Sequence, residues 1–315
     1  MRGSTVFQTH ELYKEVDNLG TSKHSAKEVA RENGASTWSE IGKELGVHSY
    51  GTADDYRDSW RRMVEYVKEE FGVKNMESLT GTHVAAYLQS KIEDGVAAKT
   101  FGGYASAMDK LETALTRYAE SHNTGRTYDF SKEMDAVRTE AKNAKLSRPE
   151  GSRAYSDPKG LIEAVKDSKF ALVATIQLES GSRISEASDI KASQLKGLTT
   201  DKVTGEEKGQ LVTSGKGGKI TMVYVSPATY ARTEAAITEA GGRFRVDRAS
   251  VRAALKEAAA ITGQKFNSTH GLRWNYAQER MSELQVHGKS YDQALAQVSK
   301  EMKHNRLDIT LHYQK

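Results

Sequence analysis

Phe170-Ala-Leu-Val-Ala-Thr-Ile-Gln-Leu-Glu-Ser-Gly-Ser-Arg-Ile-Ser-Glu186 reads as two elements joined at one glycine. Lys169 to Glu179 is an apolar run that predicts a buried helix, Gly181 supplies a turn, and Arg183 then stands at the start of a second helix. Upstream, Asp157-Pro158 opens another helix, with proline suited to its first turn. Downstream the period changes. Gln210 to Thr213 and Lys219 to Val225 predict a β-hairpin around the turn Ser214-Gly-Lys-Gly-Gly218, with Ile220, Met222 and Tyr224 alternating against Thr221, Val223 and Val225. Helical spacing resumes at Ala228 and is broken near Gly241-Gly242, Gly263 and Gly288. This half is therefore helical with one small antiparallel sheet.

The stretch Leu146-Ser-Arg-Pro-Glu-Gly-Ser-Arg153 reads as a linker, because Arg148-Pro149 opposes helix and few apolar residues anchor it. Before it lie four predicted helices. Ala53, Tyr56, Trp60, Met63, Val64, Val67 and Phe71 recur at three- and four-residue steps, as do Phe101, Tyr104, Met108, Leu111, Leu115 and Tyr118. Ser78 to Ile92 lies between these two, and residues 131–145 follow them with Ser131 as the expected cap. The aromatic stripes read as core. Residues 1–48 hold two or three short helices, such as Thr37 to Leu45. The expected organisation is an N-terminal extension (1–48), a helical domain (49–147), a linker (148–154) and a C-terminal domain (155–315).

Composition narrows the function. There is no cysteine, which excludes disulfides, thiolate nucleophiles and zinc fingers and fits a reducing cytoplasm. The apolar stretch Phe170 to Leu178 is far short of the ~20 residues that span a bilayer, and the N-terminus has no apolar signal segment. The expectation is a cytoplasmic protein with no membrane partner. Residues 1–150 hold 21 Lys and Arg against 24 Asp and Glu, net −3, and residues 151–315 hold 25 against 18, net +7. A basic C-terminal half points to a polyanion, nucleic acid first, although ordinary surface variation gives the same imbalance.

Residue types decide between these readings. Arg183, Lys216 in the glycine-rich hairpin tip, His270 and Arg273 three apart, His304, and Tyr313 offer cations, imidazoles and one phenol. They contain neither a metal cage nor a Ser/His/Asp triad. Two guanidinium groups can clamp the nonbridging oxygens of a phosphodiester and stabilise a pentavalent phosphorus. A tyrosine can attack that phosphorus, given cations or an imidazole base to help it lose its proton. Taken singly each signal is bland: a lysine in a hairpin is usually only a turn, and Arg183 with Glu186 could be a surface ion pair of ~0–1 kcal/mol.

Taken in order, the boxes Gly181-Ser-Arg183-Ile-Ser-Glu186, Gly215-Lys216-Gly-Gly-Lys219, His270-Gly-Leu272-Arg273 and His304…Thr310…Tyr313 resemble the catalytic domain of the tyrosine recombinase (phage integrase, Xer-like) family over residues 155–313. The helical unit before them is similar to that family's core-binding, SAM-like domain. The resemblance implies a mainly α fold with a small antiparallel β-sheet, arranged as a two-domain DNA clamp. It implies six catalytic residues: Arg183, Lys216, His270, Arg273, His304 and Tyr313. Tyr313 would form a 3′-phosphotyrosyl link, both arginines and both histidines would serve the phosphate, and Lys216 would protonate the leaving oxygen, with no cofactor and no metal. Its partners would be a double-stranded DNA recombination site and a homotetramer exchanging strands through a Holliday junction, for integration or excision of a mobile element or dimer resolution, in the cytoplasm or nucleoid.

Departures stand beside the match. Lys219 competes with Lys216. Trp274 replaces a common histidine, with packing as its expected role. Met302-Lys303 replaces the usual Leu-Gly before His304. Only two residues follow Tyr313, so either subunit contacts are expected from elsewhere, residues 1–48 being one source, or the sequence is a shortened one. The alternatives are a type IB topoisomerase-like enzyme, which shares the chemistry, and a noncatalytic DNA-binding relative.

Overall fold

A computed structural model describes residues 1, 3–148, 151–214, 220–304 and 307–314. The chain is mainly α with two small antiparallel sheets, and it divides into two compact units, Met1–Pro149 and Glu150–Lys315.

In the first unit, α1 (Thr5–Lys14), α2 (Lys23–Glu32) and α3 (Trp38–Glu44) precede α4 (Tyr50–Phe71), α5 (Gly81–Glu93), α6 (Ala98–Ser121) and α7 (Ser131–Asn143). The predicted stripes form the core, with Trp60, Met63, Val64 and Val67 of α4 packing with Phe101, Met108, Leu111 and Leu115 of α6; Phe71, in the last turn of α4, is exposed instead. The buried Trp60 indole donates to the Ala107 carbonyl at 2.7 Å, so its polar edge is satisfied. Ser131 is not the cap of α7; it is the first helical residue, and its N–H donates instead to Asp129 Oδ1 at 2.9 Å. The carboxylate two residues upstream satisfies that orphan N–H at the first position of the helix.

Leu12, Tyr13, Val16 and Val47 belong to the same core as α4 and α6. Two cations of α6 fasten this region. Buried Lys110 donates to the Gly42 and Leu45 carbonyls at 2.7 and 2.6 Å, and Arg117 donates to those of Glu15 and Glu44 at 3.2 and 2.8 Å. These are the open carbonyls at the C-terminal ends of α1 and α3, where positive charge is favoured.

The second unit is built around α9 (Ser168–Ser180), which follows α8 (Pro158–Glu163) and leads into the one-turn α10 (Ile184–Ala187). Strand β1 (Asp189–Lys191) pairs antiparallel with β5 (Arg243–Arg245), while β2 (Leu195–Thr200), β3 (Glu207–Ser214) and β4 (Ile220–Val225) form a second sheet in the order β2-β3-β4. The hairpin register pairs Ser214 with Ile220 and Gly209 with Val225. Val223 and Val225 face the core, as the alternation predicts. Strand β2 was not predicted, because its residues Leu-Lys-Gly-Leu-Thr-Thr are mostly exposed and carry no period-two pattern. Strands β1 and β5 are three residues each, too short for periodicity to register. Helices α11 (Pro227–Glu239), α12 (Arg248–Ile261), α13 (Ser268–Val286), α14 (Tyr291–Glu301) and α15 (Leu307–Leu311) complete the unit. Helix α13 bridges its two apolar cores, placing Leu272 in one and Trp274, Ala277, Met281 and Leu284 in the other. Among the described residues no helix is long and apolar enough to cross a membrane.

Candidate active site

Helix α9 ends at Gly181, which has φ +62°. A Cβ there would run into the Tyr276 ring, so both backbone and space demand glycine. The turn sets Arg183 at the N-cap of α10. Glu186 reaches back, its Oε2 accepting from the Arg183 backbone N–H at 3.0 Å and its Oε1 from the Arg183 guanidinium at 3.2 Å. The surface ion-pair reading is thereby corrected, since the Glu186 side chain is only 1% exposed and that of Arg183 31%. Burial raises the Glu186 pKa, but the Lys303 ammonium, the Arg183 N–H and the Arg183 charge outweigh it and hold the carboxyl below its usual range.

The first turn of α13 is fixed by residues that enter the second unit. Gly271 lies against Tyr155, whose ring would be 2.6 Å from an added Cβ. The Tyr155 hydroxyl donates to the Ser268 carbonyl at 3.0 Å and accepts from the Asn267 N–H at 3.1 Å, while the Asn275 amide bonds both backbone groups of Tyr155 at 2.9 and 2.8 Å. His270 and Arg273 sit on the turn so held. Arg273 is 2% exposed and donates through one terminal nitrogen to the Gly181 carbonyl. Its Nε is buried and has no hydrogen-bond partner among the described residues. Burial pulls its pKa down from the ordinary guanidinium value; the Tyr313 oxygen opposes this and Arg183 adds to it. The arrangement leaves a desolvated cation short of negative charge.

Tyr313 completes the cluster from the other end of the unit. Buried Arg280 of α13 bonds Asp201 at 2.8 Å and Glu301 at 3.1 Å, and the Tyr276 hydroxyl donates to Glu301 at 2.7 Å, which bolts the end of α14 in place. Beyond α14 the chain passes His304 and α15 into a 3₁₀ turn, His312–Gln314. Tyr313 is buried there, with its ring centroid 5.2 Å from Trp274 and 5.4 Å from His304, and its backbone carbonyl accepts from Gln278 at 3.1 Å. Its hydroxyl is 2.8 Å from His270 Nε2 and also interacts with the Arg273 guanidinium. His304 Nδ1 is 2.8 Å from the hydroxyl of buried Thr310, which fixes the ring's orientation.

The whole architecture has solved counterparts. The structure of the XerH site-specific recombinase bound to palindromic difH substrate, in a post-cleavage complex, matches with TM-score 0.62 at 15% identity over 98% of this chain and 90% of that one. The Tn1549 transposon integrase in complex with transposon right end DNA matches with TM-score 0.55 at 12% identity over 91% and 92%. The fold is that of the tyrosine recombinases. No protein-family model and no curated relative matches the sequence.

Within this tyrosine recombinase fold, five of the six predicted residues converge. His270 and Arg273 of α13 and His304 meet around the Tyr313 phenol, and Arg183, at the N-cap of α10, is close enough to Arg273 to act on its charge. Lys216 and its competitor Lys219 lie outside the described residues. Trp274 packs against Tyr313 and His312, in keeping with its expected packing role. Sequence reading missed Lys303 and Thr213, which also reach this cluster: the Lys303 ammonium donates to Glu186 Oε2 at 2.8 Å and to the Thr213 hydroxyl. The departure from Leu-Gly before His304 was the signal that could have found Lys303.

Proposed function

We propose that this chain is a site-specific DNA recombinase that cuts and rejoins duplex DNA through a phosphotyrosine at Tyr313. The observation that carries the reading is the Tyr313 hydroxyl held 2.8 Å from His270 Nε2 beside a buried guanidinium whose Nε has no acceptor among the described residues. A phosphodiester supplies the missing negative charge, with Arg273 and the partly exposed Arg183 as donors to its nonbridging oxygens. In the attack the phenol proton passes to His270 Nε2, the Tyr313 oxygen–phosphorus bond forms and the bond from phosphorus to the 5′ oxygen breaks. The departing oxygen takes a proton from Lys216 and leaves as a 5′-hydroxyl, while His304, oriented by Thr310, donates to the phosphate. Reversal with a second 5′-hydroxyl reseals the strand, so the bond energy is kept throughout. Helices α4 to α7 serve as the second DNA-binding body, and paired exchange in a tetramer passes through a Holliday junction.

The test uses nicked suicide duplexes that tile the replicon carrying the gene. The unaltered protein is expected to form an adduct on one of them that survives denaturing electrophoresis. Tyr313→Phe abolishes the adduct and retains duplex binding. Absence of any adduct, or an adduct that persists in Tyr313→Phe, refutes the proposal.

A further inference from the structure

We infer that Lys303 is a positioning residue of this site, tying Glu186, and through it Arg183, to Thr213 on the strand that leads into the hairpin. The inference rests on the function proposed above. Its starting point is a backbone conflict: Lys303 has φ +61°, a left-handed conformation that favours glycine and strains a lysine. Its side chain is nonetheless 3% exposed, and its ammonium bonds Glu186 Oε2 at 2.8 Å together with the Thr213 hydroxyl. Glu186 also accepts two hydrogen bonds from Arg183, one from its backbone and one from its guanidinium. A continuous chain of contacts therefore runs from Thr213 through Lys303 and Glu186 to Arg183.

The position of Lys303 in the sequence gives that chain its use. Lys303 immediately precedes His304 and lies ten residues before Tyr313, so it anchors the nucleophile's segment to the arginine's support. Thr213 lies on β3, one residue before that strand ends and three before Lys216 in the sequence. One ammonium thus joins the segments that hold the phosphate clamp, the nucleophile and the hairpin. Burial draws the Lys303 pKa below the ordinary ammonium value; Glu186 opposes that, and the charges of Arg183 and Arg273 reinforce it. Such a group holds its place through specific partners, and removing it leaves Glu186 with a buried lone pair unmatched.

Lys303→Gly suits the left-handed backbone but also deletes the buried methylene stem, so melting midpoint is measured beside cleavage, and cleavage is scored at a temperature where the variant is fully folded. On the duplex that traps the unaltered protein, the variant is expected to cleave about 10- to 100-fold more slowly, with DNA affinity within about fivefold, an effect on chemistry rather than binding. Glu186→Gln is expected to act in the same way, and the double variant to be no slower than the worse single one. Placing a sulfur at the 5′ bridging position, which leaves without a proton, should not rescue Lys303→Gly. Cleavage within twofold of the unaltered rate, additive losses, or rescue by sulfur would each overturn the assignment. If the unaltered protein forms no adduct, the proposed function falls and takes this inference with it.

Discussion

Replacing Gly181 with alanine tests the site where fold and chemistry share one atom. Two effects add. A Cβ at φ +62° costs about 1–2 kcal/mol in the left-handed region. The new methyl also overlaps the Tyr276 ring, which is 9% exposed and tethered to Glu301, so it cannot swing aside; overpacking of that kind costs about 1–3 kcal/mol. Together they remove about 2–5 kcal/mol, a drop in melting midpoint of about 4–20 °C for a unit of this size. The same variant should lose cleavage beyond its loss of folded protein, because the Gly181 carbonyl aims Arg273. Urea and thermal melts followed by circular dichroism give the first number, and adduct yield at low temperature the second. Gly263→Ala is the control, with φ +65° and nothing within 4 Å, and should show the backbone part alone. If Gly181→Ala is no worse than Gly263→Ala, the close approach of Tyr276 is wrong.

Trp274→Ala is expected to destabilise the second unit by about 3–5 kcal/mol, as for a fully buried tryptophan, and to lower adduct formation by freeing the Tyr313 ring; denaturant unfolding with retained stability would refute it. Glu40, held by the Thr37 and Ser36 backbone N–H groups and the Ser36 hydroxyl, should titrate at about 2 rather than 4.5 in a carbon-detected NMR experiment. Its depressed value means the cap of α3 is intact above pH 4.5 and is lost as pH falls through about 2. Lys110, brought down to about 8 by burial and then by Arg117, releases its proton earlier in the folded than in the unfolded chain. Stability should therefore rise between about pH 8 and 10.5, by on the order of 3 kcal/mol, and Lys110→Met should flatten that slope in urea titrations.

What the sequence makes legible follows from how each residue announces itself. The stripes of α4 and α6 repeat over about five turns, and their apolar residues are buried or half-buried where the period places them except for Phe71 at the end of α4, which is exposed. Pro158 and Gly181 mark boundaries because their own backbone limits do so. Arg183, His270, Arg273 and Tyr313 are legible as a set through residue type and order. Lys303 is not, because a lysine ordinarily signals solvent, and neither its positive φ nor its long reach to Thr213 leaves a local trace. Strands β1 and β5 depend on a partner more than fifty residues away, as do the Asn275 clasp on Tyr155 and the Arg280 tie to Asp201. Pairings of that kind arise only once the chain has closed on itself. Ser131 fails for another reason: the helix begins one residue earlier, with Phe130 at the cap, and Asp129 accepts the Ser131 N–H.

Lys110 and Arg117 give the first 48 residues a history. Stripping that stretch away would strand two cations on α6 with no carbonyls to meet, so it cannot be gained or shed as a loose appendage. A natural chain with the same α6 and no such prelude should carry small or apolar residues at 110 and 117, both changed together.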